Sequence, residues 1–130
     1  MLLLNKRFFE KNKANSYISN NNIEVKILFS SENPSFLGKT IDATAIEMSP
    51  KALRLEVPFP LEIGSVLDIA LKFKDSNLCY NLTGNIRWRV PSITGHYHIG
   101  LVLRERSDIK SDYKTWKINF IQNFNNRRAC

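Results

Sequence analysis

Six times between Ile23 and Leu103 apolar side chains recur at every second position, and this period constrains the fold more than any other feature of the chain. Successive side chains of a strand point to opposite faces, so each such segment buries one face and wets the other. Six half-buried strands need a shared interior. In 130 residues with an apolar fraction of 43%, the chain has material for one core and one domain.

The segments are separated by turn chemistry. Ile23, Val25, Ile27 and Phe29 share a parity, and Asn33-Pro34 follows as a turn. The next strand, Lys39 to Met48, starts with Ile41, Ala43 and Ala45 in phase and then shifts to Ile46 and Met48, which predicts a β-bulge near Ala45. Ser49-Pro50-Lys51 turns the chain, because Pro50 presets a turn dihedral and cannot donate to a ladder. Leu53, Leu55 and Val57 form a third strand; Leu67, Ile69, Leu71 and Phe73 form a fourth. From Leu78 to Val90 one parity holds Leu78, Tyr80, Leu82, Ile86, Trp88 and Val90, with Gly84 where a strand must bend. That parity assigns Tyr80 and Trp88 to the core and turns Arg87 and Arg89 outward. A sixth strand places Tyr97, Ile99, Leu101 and Leu103 inward and His96, His98 and Arg104 outward.

Both ends break the pattern. Residues 1–22 are polar, rich in Asn and Lys, and read as a flexible basic arm in which Phe8, Phe9, Tyr17 and Ile18 are the docking candidates. From Asp108 to Phe124 the period changes to that of a helix: Ile109, Tyr113, Trp116, Phe120 and Phe124 make one stripe, with Ser107 or Ser111 as N-cap. So aromatic a stripe predicts a helix that covers the open end of the β structure. Residues 127–130 are expected to fray.

A formal charge of +7 favours anionic partners or simply a soluble surface. The apolar opening at Met1 to Leu4 is too short for an export signal, and no stretch reaches membrane-spanning length, so the expectation is a cytoplasmic protein without membrane insertion. Cys79 in a strand and Cys130 at the last position do not suggest a disulfide. Two cysteines and two histidines without metal-ligand spacing suggest no metal. His96 and His98 read as exposed strand residues. Nucleophile, base and orienting group recur at no diagnostic spacing, and no Gly-rich phosphate loop follows a strand, so no enzyme is expected. Arg87, Arg89 and Arg104, with the two histidines near them, form a candidate basic patch.

The segments Leu37-Gly38-Lys39-Thr40, Ile46-Glu47-Met48-Ser49-Pro50-Lys51-Ala52-Leu53 and Pro60-Leu61-Glu62-Ile63-Gly64-Ser65-Val66-Leu67 occur in an order and spacing shared with a known pattern. Gly84-Asn85-Ile86-Arg87-Trp88 and Tyr97-His98-Ile99-Gly100-Leu101-Val102-Leu103 continue it. From about Ile23 to Phe124 the chain resembles the PilZ domain family. The resemblance implies a six-stranded antiparallel PilZ-like β-barrel with a C-terminal α-helix, spanning residues 23–126. It also implies a place in the bacterial cyclic di-GMP network.

Family members that bind cyclic di-GMP carry two arginines four residues apart just before the first strand. Their planar guanidinium groups stack on guanine and fork onto phosphate. They also carry Asp or Asn, one residue, Ser, two residues and Gly at the second turn. Here Ser49 matches, Glu47 stands in the Asp or Asn position, and Ala52 replaces the Gly. Arg7 and Lys11 are four apart but farther from the strand, with Lys13 beyond them. The candidate ligand residues are therefore Arg7, Lys11, Lys13, Glu47, Ser49 and Arg87, with cyclic di-GMP as the only ligand implied and no cofactor. The reading is a non-enzymatic signalling or adaptor protein, in motility or surface attachment, acting through a protein partner with weak or absent nucleotide binding. Two alternatives stay open: a cyclic di-GMP receptor using the basic arm and Ser49, and an OB-like module for single-stranded nucleic acid, which the inward aromatics disfavour.

Overall fold

The computed structural model describes residues 17–76 and 78–119. Six antiparallel strands, β1 (Tyr17–Ser30), β2 (Thr40–Met48), β3 (Ala52–Val57), β4 (Val66–Phe73), β5 (Cys79–Pro91) and β6 (Tyr97–Arg104), close into a barrel in the order β1-β2-β3-β6-β5-β4. Closure gives every described strand a neighbour on each side, although the start of β1 runs past the end of β4 and pairs with β2 alone. A helix, α1, occupies residues 113–119. No helix among the described residues is long and apolar enough to cross a membrane.

The expected strands are present with their ends shifted by a residue or two, except that β1 begins at Tyr17 rather than Ile23. Residues 17–22, expected as arm, thus belong to the sheet: Tyr17 pairs with Met48 and Asn22 with Thr44. The inward parity holds for most of the barrel, where Ile23, Ile27, Leu53, Leu71, Ile86 and Leu101 are all sealed from solvent. Gly84 is inward too, because a Cβ there would come 2.6 Å from Cγ of Leu101.

The described strands carry four register shifts: one in β1 between Ile18 and Asn21, opposite β2, and three that fall in the body of the barrel. Ile46 is the extra residue of β2 opposite β3, as the phase shift in the sequence predicts. Leu28 is an extra residue of β1 opposite β4, where Ile27 pairs with Ile69 and Phe29 with Asp68. That slip turns Phe29, expected in the core, out to 45% exposure and puts Ser30 inside. Arg87 is the extra residue of β5 opposite β6, between the pairs Ile86 with Leu101 and Trp88 with Gly100. Beyond it the parity of β5 is reversed: Trp88 and Val90 face outward, and Arg89, paired with the inward Ile99, turns toward the barrel mouth. A one-residue slip exchanges the two faces of everything that follows.

The two mouths are closed differently. β3 and β4 are not neighbours, so residues 58–65 must cross the mouth, and Leu61 plugs it. Nη1 of Arg89 donates to the carbonyls of Pro60 at 3.3 Å and Leu61 at 2.9 Å, pinning the crossing. At the far mouth α1 inserts Tyr113 and Trp116 into the core; Trp116 stacks on Phe73 and meets Tyr80 edge to face at 5.2 Å. The helix starts later than expected, and Ile109 lies outside it, exposed. Residues ahead of the helix serve instead as a strap: Arg106 binds Asp68 and Asp108, and Asn81 and Asp112 exchange hydrogen bonds. The first intrahelical bond runs from the Trp116 amide to the Asp112 carbonyl, so Asp112 and not Ser107 or Ser111 holds the N-cap position, and Ser111, one residue earlier, accepts from the Tyr113 amide. Leu78, expected inward at the start of β5, is exposed just ahead of the strand. Phe120, Phe124 and residues 127–130 fall outside the described residues.

Candidate functional site

The second turn joins β2 to β3 at the far mouth. Ser49 is fully buried there; its Oγ accepts from the Ala52 amide at 3.0 Å and donates to the Ala52 carbonyl. The Ser49 amide donates to that same carbonyl at 2.9 Å. The hydroxyl therefore stitches its own turn together. A Ser side chain that satisfies a nearby backbone group is a common turn device.

Two residues earlier, Glu47 lies half-buried on the outer wall, paired with Arg54 of β3 at 3.3 Å. Arg54 is also within 3.3 Å of Nδ1 of His98 on β6, while Nε2 of His98 meets Oε1 of Glu56 at 3.0 Å. Oε2 of Glu56 accepts from Thr94 at 2.9 Å and lies 3.6 Å from Nδ1 of His96. Burial works against ionisation of Glu56, but hydrogen bonds from His98 and Thr94, with the charges of His98 and His96, outweigh it and hold its pKa below the ordinary value. His98, expected to be an exposed residue, is thus a half-buried link in a chain across β2, β3 and β6.

Ala52 and Trp88 make a second, separate apolar cluster, with Val90 packed against it. The indole lies over Gly100, where any side chain would overlap the ring. Trp88 is 6% exposed, so the expectation that it is buried holds, but it is buried on the outer wall and not in the core. The methyl group of Ala52, which replaces the glycine of the family pattern, is part of this cluster.

Of the candidate ligand residues, Arg7, Lys11 and Lys13 lie outside the described residues. Glu47, Arg54, Gly100 and Trp88 form one row across four strands. Arg87, exposed at the bulge beside Trp88, therefore stands about 14 Å from Glu47, three strand spacings away. Glu47 in β2 and Ser49 in the turn after it are two residues apart, and both are engaged within the protein. The expected patch of Arg87, Arg89 and Arg104 does not assemble: Arg89 turns into the mouth, and Arg104 sits opposite Thr83, farther along the wall. Sequence reasoning missed the chain Glu47, Arg54, His98 and Glu56. The outward parity of Arg54, Glu56 and His98 was visible, but the adjacency of β3 and β6 was not.

No family model matches the chain, and no curated protein sequence matches it. Among solved structures, the Bacillus subtilis inhibitor of motility MotI/DgrA aligns with a TM-score of 0.58 and 10% sequence identity, covering 88% of this chain and 51% of its own. This chain spans about half the length of that protein. At this identity the likeness is one of fold.

Proposed function

We propose that this protein is a non-enzymatic signalling or adaptor module with a PilZ-like barrel, working through contact with another protein in the cyclic di-GMP network. Its own nucleotide site is weak or absent. The observation that carries this reading is the internal engagement of the second turn: Ser49 spends its hydroxyl on the Ala52 backbone, and Glu47 faces Arg54. A nucleotide seeking those groups would have to break contacts already made, leaving a buried amide or a guanidinium without its acceptor. Glu47 would also present a carboxylate to an anionic ligand. The fold shared with an inhibitor of motility supports motility as the regulated process. Against a single-stranded nucleic-acid surface stands the burial of Tyr80 and Trp88, whose ring faces are not offered for stacking. A cytoplasmic setting suits the exposed, free thiol of Cys79.

Calorimetric titration with cyclic di-GMP tests the reading. No heat is expected at micromolar ligand. Saturable heat that disappears in Arg7→Ala would replace the adaptor reading with the receptor one, in which Arg7, Lys11, Lys13 and Ser49 surround the ligand and Arg87 contributes from the wall.

A further inference from the structure

The chain that links Glu47, Arg54, His98 and Glu56 contains a histidine, the side chain whose ordinary charge change falls between about pH 5 and 8. It runs from the hairpin tip, where Thr94 donates to Glu56, across β6 and β3 to β2 beside the second turn. His98 is its middle: Nε2 lies 3.0 Å from Oε1 of Glu56, and Nδ1 lies 3.3 Å from Nη2 of Arg54. A single ring thus stands between an anion and a cation.

The two neighbours answer a proton on that ring in opposite ways. A guanidinium has donors and no acceptor, and an imidazolium likewise only donates, at both nitrogens. A protonated His98 therefore keeps Glu56, with a charge pair added to the hydrogen bond, but it accepts nothing from Arg54 and sets two cations 3.3 Å apart. Among the described residues, the charged and titratable groups around it are Arg54 and Glu56 from β3 and, from its own hairpin, His96, which shares Glu56. Glu47 on β2 is reached through Arg54, while β5 presents Val90 opposite His98 and turns Arg89 into the mouth.

Arg54 is held loosely enough to respond. Its contacts to Glu47 and His98 are both 3.3 Å, longer than the roughly 2.7–2.9 Å of a firm charge-assisted hydrogen bond. Its Nε is buried without a hydrogen-bond partner among the described residues. A guanidinium that loses His98 still has the Glu47 carboxylate beside it, and the planar fork of Arg is shaped to grip a carboxylate with two donors. The chain then separates into two ion pairs, Glu47 with Arg54 and Glu56 with His98.

We propose that His98 is a pH-sensitive coupling between the hairpin tip and the second turn: neutral, it joins Glu56 to Arg54; protonated, it keeps Glu56 and releases Arg54 to Glu47. The tip stays clamped in both states, because Thr94 and His98 hold Glu56 throughout. What changes is the wall beside the second turn, where Arg54 gains or loses its hold on β6. The device depends on these side chains alone, so its failure and that of the adaptor reading are distinct.

Nuclear magnetic resonance of the full chain between about pH 8 and pH 5 tests it, with the ring protons of His96 and His98 reporting their own charge. The Overhauser contact between the Arg54 side chain and the His98 ring is expected at the upper pH and lost at the lower. Arg54 resonances should move with the His98 ring and not with the His96 ring. His98→Gln, which offers an acceptor oxygen but takes no proton, should hold Arg54 across the whole range, and His96→Gln should leave the wild-type response unchanged. Circular dichroism shows that each variant is folded. A contact that persists at the lower pH with His98 protonated overturns the proposal, and so does an Arg54 that follows His96. A His98 ring that takes up no proton in this range, or a His98→Gln variant that responds like the wild type, overturns it as well.

Discussion

Trp88 occupies the space that a side chain at Gly100 would need. The two residues face each other across β5 and β6 on the outer wall, and the indole covers the bare backbone of Gly100. Gly100→Ala is therefore expected to push the ring off the wall, at about 1–3 kcal/mol in stability. Urea unfolding followed by tryptophan emission checks it; unchanged stability with an unshifted emission maximum would refute the packing.

Ser49→Ala removes both the acceptor for the Ala52 amide and the hydroxyl that binds its carbonyl. The amide is buried, so the expected loss is about 1–3 kcal/mol. Thermal melts measure it, and Ser49→Thr, which keeps the oxygen, should lose less.

Trp116 ties α1 to the barrel through Phe73 and Tyr80. Trp116→Ala should cost about 3–5 kcal/mol, the range for truncating a large buried aromatic. Hydrogen exchange should then show protection lost first in residues 113–119 and at the start of β5. Uniform loss across all strands would mean that the helix is not a separable cap.

Two carboxylates set the acid response. The hydrogen bond from Arg106, helped by its own backbone amide, holds Asp108 at a pKa of about 2 against an ordinary 3.8, and Glu56 lies below its ordinary 4.5. Both are lowered on folding, so their contributions are complete above the unfolded values and fade as the pH falls through the folded ones. The wild type should thus lose stability below about pH 4.5 more steeply than Glu56→Gln with Asp108→Asn. Unfolding at a series of pH values tests the slope, and parallel curves would contradict it.

Alternation along the chain was enough to place six strands, and the aromatic stripe was enough to place a helix that plugs one mouth. The bulge at Ile46 was legible because its phase shift is written in apolar residues. The bulge at Arg87 was not: Ile86, Trp88 and Val90 continue an unbroken parity in the sequence, and only pairing with Gly100 shows that the register slips there. Phe29 was misassigned for the same reason, through Leu28. The candidate site fared likewise. Ser49 and Glu47 were singled out by the resemblance to the PilZ family, whereas their contacts with Ala52 and Arg54 were set by the turn and the register.

What the sequence determined alone is what depends on near neighbours along the chain: strand period, turn residues and the helix stripe; the departures at Glu47 and Ala52 are legible only against the pattern that the resemblance implies. Tertiary structure decided the order of strands around the barrel, and with it the contact of Arg54 with His98, the outward turn of Trp88, and the stacking of Phe36 on Phe59 at one mouth. The physical reason is that a period of two specifies which side chains share a face, but not which strand lies alongside. That choice is made by closure and bulges, whose hydrogen bonds join residues far apart in the chain.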